Sequence, residues 1–201
     1  MRTTRSHRTI RLGILGSGSG SNFQALLDAI AAGTLNAEVA LVLSDVPNAK
    51  ILDRARHAGI RAEVIDCRGF ANKFPDEAQA ETARALGEAE VDLVCLAGFM
   101  RLIKAPLLAA FPERVINIHP SLLPAFPGLE AWKQALDAGV SEAGCTVHYV
   151  DAGMDTGPHI IQAKVPVLAE DDYATLHARI QVEEHRIYPL AVQMVTEKIF
   201  T

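Results

Sequence analysis

The chain has only three cysteines in 201 residues, and aromatic side chains make up 5% of it. Cys67, Cys95 and Cys145 are widely spaced and include no CxxC pair, which excludes a disulfide framework and a cysteine-based zinc site. Reduced thiols and a cytoplasmic setting are expected. No apolar run approaches membrane-spanning length, and the opening residues MRTTRSHRT lead to a strand and a glycine loop, without the apolar core and cleavage region of a signal peptide. Residues 1–9 read as a basic mobile extension, and residues 10–201 as one domain. A net charge of −5 argues against a general nucleic-acid surface but leaves room for a local anion site made of backbone amides. Repeats, low-complexity tracts and linkers are absent.

Apolar residues are abundant, at 49%, and they are mostly aliphatic, the filling of a layered α/β core. Short β-branched runs alternate with segments of helical period. Strands are expected near residues 11–15, 38–43, 62–65, 91–97 and 114–118, and helices near 21–32, 49–58, 76–88, 106–110 and 130–138. The order predicts a mainly parallel, Rossmann-like sheet flanked by helices. CTVHYV and HIIQAKVPV, joined by the compact turn DAGMDTGP, predict an antiparallel strand pair toward the C-terminus. The last segment, near 172–198, has an amphipathic period that Pro189 is expected to kink or divide.

Three segments could carry chemistry. In NIHPSLLPAFPG, Asn117 and His119 flank Ile118 on one strand face, and Pro120, Pro124 and Pro127 preset the following loop. This places an amide and a titratable imidazole at a rigid edge, although a lone His-Pro is also compatible with an imidazole that merely satisfies a strand end. In LGSGSGSN, Gly20, Ser21 and Asn22 stand where a helix begins, so backbone amides could receive a phosphate; a glycine turn without a ligand is the alternative. The spacing from Gly16 and Gly18 puts Ser21 where a dinucleotide fingerprint needs a third glycine, and no GK[ST] is present. A phosphate monoester fits better. In GFMRLI, Met100, Leu102 and Ile103 could wall a flat apolar ligand, or simply pack. Asp155, in the glycine-bearing turn, could support the His119 charge if the sheet brings the two together; otherwise it is an ordinary turn former. A metal site from His119, His148, His159 and Asp155 is conceivable, but no HExxH or other tight ligand spacing supports it.

Taken together, GSGSN, AGFMR, NIHPSLLPAFPG, MDTGP, QAKVPV and QVEEHRIYP resemble the phosphoribosylglycinamide formyltransferases of the 10-formyltetrahydrofolate-dependent formyltransferase superfamily. The resemblance runs from about Ile10 to the final helix. It implies Asn117, His119 and Asp155 as the catalytic trio, and a nucleotide held by Gly20, Ser21 and Asn22 with ribose contacts from Gln181 and Glu184. It also implies a folate co-substrate against Met100, Arg101, Leu102, Ile103, Leu108 and the turn of Val150, Asp151, Ala152, Gly153, Met154 and Asp155. Where that family often offers Arg to the folate's acidic tail, Lys73 stands here, a point charge without the bidentate fork. The implied activity moves a formyl group from 10-formyltetrahydrofolate to the amine of 5-phosphoribosylglycinamide, with small molecules as partners, no membrane, no nucleic acid and no metal. Monomer and homodimer are both open. Two relatives share the trio: a hydrolase with water as acceptor and a transfer-RNA formyltransferase. Both are expected to carry further domains for which these 201 residues leave no space. A non-catalytic nucleotide-binding module is the rival of another class.

Overall fold

A computed structural model describes residues 8–71 and 73–200, so most of the basic extension expected at 1–9 lies outside the described residues. The chain order is β1 (Ile10–Leu15), α1 (Ser21–Ala31), β2 (Ala37–Ser44), α2 (Lys50–His57), β3 (Ala62–Val64), α3 (Asp76–Glu88), β4 (Leu93–Leu96), α4 (Ala105–Ala110), β5 (Val115–His119), α5 (Ala131–Asp137), β6 (Glu142–Tyr149), β7 (His159–Pro166) and α6 (Tyr173–Ile199). The seven strands form one sheet in the order β3-β2-β1-β4-β5-β6-β7. All neighbouring pairs up to β4·β5 are parallel, while β6 runs antiparallel to both β5 and β7. This agrees with the fold expected from the sequence.

The period of two in each strand divides the core into two layers. Ile10, Leu12 and Ile14 of β1, Leu93 and Cys95 of β4, and Ile116 and Ile118 of β5 face a cluster containing Phe23 and Leu26 of α1, Ala135 of α5 and the apolar stripe of α6. Leu15, Val94, Leu96 and Val115 face the opposite cluster, with Ala78 and Leu86 of α3 and Leu107 of α4. A fully buried leucine contributes about 1.5–3 kcal/mol, so strands apolar on both faces are fixed as the centre of a three-layer sandwich. Asn117 and His119 depart from this pattern at the C-terminal end of β5, where the covering helices no longer reach.

The long helix α6 starts with a capping box, in which the Thr175 amide donates to Asp172 Oδ1 at 2.8 Å and the Asp172 amide to Thr175 Oγ1 at 2.9 Å. It runs as one element of 27 residues through Pro189, so the division allowed for in the sequence does not occur. Proline removes a single backbone donor toward the carbonyl four residues earlier, and the buried side chains on either side of it, from Leu176 to Val195, hold the helix on the sheet. Among the described residues no helix is long and apolar enough to cross a membrane.

Candidate active site

The order reverses between β1 and β4, where successive connections leave toward opposite faces, and open sheets form their ligand crevices at the C-terminal ends of such strands. A cleft of about 720 Å³ opens there, a size suited to small molecules. Its lining brings together Gly20, Ser21, Asn22, Met100, Arg101, Leu102, Ile103, Asn117, His119, Val150, Asp151, Gly153, Met154, Asp155, Gln181 and Glu184, all singled out from the sequence.

At the base, β5 and β6 place Asn117 directly opposite His148 and His119 opposite Thr146. His148 Nδ1 donates to the Tyr149 carbonyl at 2.8 Å, which fixes the ring with Nε2 turned toward Asn117 and Asp155. Asn117 Nδ2 sits 3.2 Å from that nitrogen, which orients the amide and leaves an N–H for the cleft. His119 is fixed by the same logic. Its Nε2 donates to the Phe126 carbonyl at 2.9 Å, so the titrating proton belongs to Nδ1, which faces Asp155 Oδ2 at 3.4 Å.

Asp155 is therefore more than a turn former. Its Oδ2 accepts from the Gly128 amide at 2.8 Å, and its Oδ1 lies 3.6 Å from His148 Nε2, so one carboxylate joins the proline loop to two imidazoles. The 3.4 Å separation from His119 exceeds a good hydrogen bond, which makes the contact electrostatic and leaves Nδ1 shareable with a ligand. Burial raises the Asp155 pKa, but the nearby His148, the Gly128 amide and His119 outweigh it and hold the carboxyl below its ordinary value. For His119, burial is the largest influence and lowers the pKa, against the opposing pull of the Phe126 carbonyl and Asp155.

The loop over His119 is bolted down from β6 and β7. Thr146 Oγ1 donates to the Ser121 carbonyl at 2.7 Å and accepts from the Leu123 amide at 3.1 Å, while Gln162 Nε2 reaches the Leu123 carbonyl at 2.9 Å. These bonds hold the Phe126 carbonyl where it selects the His119 tautomer.

At one end of the cleft, Gly20 precedes α1 with φ of 72° and no side chain caps the helix, so the first-turn amides are open to an anion. Asn22 Nδ2 donates to Glu184 Oε2 at 3.2 Å, and Asn22 Oδ1 is buried without a hydrogen-bond partner among the described residues. Burial of Glu184 pushes its pKa up to about 7, against the lowering effect of Asn22.

At the other end, Ser17 ties the loop after β4 in place, accepting from the Met100 amide at 2.9 Å and donating to Asp45 Oδ1 at 2.5 Å. Arg101 belongs to this loop, but its guanidinium is occupied. Nε meets Asp45 Oδ2 at 2.6 Å and Nη1 the Phe70 carbonyl at 2.8 Å and the Lys73 carbonyl, with the two charged side chains only 8% and 5% exposed. Met100 is 60% exposed and free to meet a ligand. Three expected folate contacts are not brought to the lining. Leu108 packs on the core cluster beneath α4, Ala152 points out of the turn into solvent, and Lys73 holds its ammonium 5.8 Å over the Phe70 ring.

Beyond the residues singled out for catalysis or substrate binding, the lining includes His148, which the sequence offered only as a conceivable metal ligand, and Trp132 and His177, which it passed over. His148 had a signal, since in CTVHYV the core side chains Cys145 and Val147 alternate with the buried polar Thr146 and His148. Trp132 and His177 come from separate helices and had none.

A family model described as formyl transferase matches residues 10–192. The chain belongs to the formyl transferase family. Within it, the chain is 42% identical over 186 residues to the phosphoribosylglycinamide formyltransferase of Bacillus subtilis, covering 92% of this chain and 94% of that one. It is 49% identical over 192 residues to the trifunctional purine biosynthetic protein adenosine-3 of Drosophila melanogaster, but spans only 14% of that relative's length. Among solved structures, glycinamide ribonucleotide transformylase 1 from Symbiobacterium toebii superimposes with a TM-score of 0.91 at 52% identity, over 96% of this chain and 90% of that one. The formyl transferase fold thus accounts for nearly every described element.

Proposed function

We propose that residues 10–201 act as one domain that transfers the formyl group of 10-formyltetrahydrofolate to the amine of 5-phosphoribosylglycinamide, giving the N-formyl nucleotide and tetrahydrofolate. The observation that carries this reading is the set of buried His119 and His148 with half-buried Asn117 and Asp155, between an anion-receptive helix start and an apolar loop. The nucleotide phosphate takes the amides of Gly20, Ser21 and Asn22, and its ribose meets Gln181 and Glu184. The folate lies along Met100, Leu102, Ile103 and Val150, beside the turn ending in Asp155. Arg101, itself in the lining, braces that wall through Asp45 and the Phe70 and Lys73 carbonyls.

The amine attacks the formyl carbon, a C–N bond forms, and the carbonyl electron pair moves to oxygen. The free N–H of Asn117 donates to the developing oxyanion, a contribution that is strongest in a water-poor cleft. Burial leaves His119 Nδ1 with its lone pair near neutral pH, so it takes the proton released by the attacking nitrogen, directly or through one water. Asp155 favours the resulting imidazolium, which also donates to the oxyanion. As the carbonyl re-forms, the bond to the folate nitrogen breaks and that nitrogen receives the proton. Holding both substrates across one set of strand ends supplies the proximity.

The test is an absorbance assay for tetrahydrofolate with and without the nucleotide. Formyl transfer requires product only when both substrates are present. Product formed from the folate alone would favour a hydrolase, and nucleotide binding without turnover a non-catalytic module.

A further inference from the structure

The chain's single tryptophan, Trp132 in the first turn of α5, stacks on the imidazole of His177 in α6, with ring centroids 3.8 Å apart and planes within 5°. Both residues are half-buried and both line the cleft. His177, Gln181 and Glu184 follow a spacing of four and three, so they share one face of α6. That face lies in the layer of α1, α5 and α6, the layer that also presents Ser21 and Asn22, whereas Ile103 and Val150 pack toward the opposite layer. The stacked pair therefore belongs to the polar end of the cleft.

Stacking fixes the plane of the imidazole and leaves its edges, which carry the nitrogens, unblocked. No hydrogen bond or ion pair joins those nitrogens to a described residue. Asn22, which lines the same cleft from α1, has its Oδ1 likewise unpartnered among the described residues. An oriented imidazole with free nitrogens, lining the same cleft as an orphaned amide oxygen, is arranged to meet hydroxyls or phosphate oxygens.

We propose that His177 is a nucleotide-recognition residue that hydrogen-bonds the sugar-phosphate portion of the ligand, and that Trp132 is the positioning residue that holds it by stacking. This rests on the reading above that this end of the cleft takes the nucleotide. It adds Trp132 of α5 and His177 of α6 to a wall for which the resemblance named only Gln181 and Glu184 on these helices.

Trp132 provides its own reporter, because all indole emission comes from this stack. Ribose 5-phosphate, which needs no turnover to be detected, should change that emission saturably, and His177→Ala should weaken its binding about 5- to 10-fold, the loss of one hydrogen bond. In the full assay, His177→Ala should raise the KM for 5-phosphoribosylglycinamide by a similar factor while the folate KM stays within about twofold. Trp132→Ala should raise the same KM, and Trp132→Phe should restore most of the loss because a ring remains to stack. Two results overturn the inference: a folded His177→Ala protein with unchanged affinity for ribose 5-phosphate, or an equal rise in both KM values. A wild-type protein that binds ribose 5-phosphate through this pair yet transfers no formyl group would overturn the proposed reaction and leave the pair's role standing.

Discussion

For individual residues, what separates Asn117 and His119 from ordinary strand-end polar groups is that each has one hydrogen-bonding position committed to the protein and one left over. Asn117 commits an N–H to His148, and His119 commits Nε2 to Phe126. Removing either free position should remove stabilisation that exists mainly in the transition state, so Asn117→Ala and His119→Ala should each lower kcat by about two orders of magnitude. Near-normal turnover in a folded His119→Ala protein would take that residue out of the mechanism. Asp155→Asn tests the charge alone. The carboxylate favours protonated His119, so its loss should move the His119 titration to lower pH, with a sharp fall in kcat and little change in nucleotide KM. Imidazole resonances followed by NMR beside steady-state rates decide the matter, and an unmoved titration with unmoved turnover would return Asp155 to the role of turn residue.

Among the elements, the substrate loops are held by backbone geometry as much as by side chains. Gly20 combines a φ of +72° with close approach to α2, since a Cβ there would lie 2.9 Å from Ile51 Cβ. A Gly20→Ala substitution should therefore destabilise the fold by about 1–3 kcal/mol in denaturant unfolding, beyond any effect on phosphate binding. A loss of nucleotide affinity at full stability would show that the loop, not the α1–α2 contact, governs the position. How far the elements could be read from sequence follows from the range of the contacts involved. Strand alternation around Ile118 is local, and it placed Asn117 and His119 correctly. The glycine run before Ser21 is local too. The part played by Asp155 depends on the β6–β7 turn folding beside Gly128, 27 residues away in sequence, and the occupied state of Arg101 depends on Asp45, 56 residues away. No window of sequence contains such pairs. Glu184 is intermediate, because its place on the apolar stripe of α6, between Ile180 and Ile187, marks a buried carboxylate without saying what it faces.

At the scale of the whole molecule, that carboxylate should be visible in the stability curve. Glu184 has a pKa near 7 in the fold, raised by burial, against an ordinary value of 4.5. Between these two values the folded protein holds a proton that the unfolded chain has lost, so this group makes stability fall as pH rises from about 4.5 to 7 and then level off. The cost of ionising it in place is on the order of 3 kcal/mol. His119 and His177, lowered by burial, act in the other direction, removing stability as pH falls below 6.5, and Asp155 does so at more acidic pH. Comparing Glu184→Gln with the wild type cancels those shared contributions. Glutamine keeps an acceptor for Asn22 and cannot ionise, so the variant should match the wild-type Tm near pH 4 and exceed it by roughly 6–12 °C near pH 8. Its nucleotide KM should meanwhile rise, because the carboxylate that the proposed binding mode sets against the ribose hydroxyls has been neutralised. Parallel Tm–pH curves for the two proteins would mean that Glu184 is ionised in the fold at no cost, and the stability gain and the binding loss would then have no common origin.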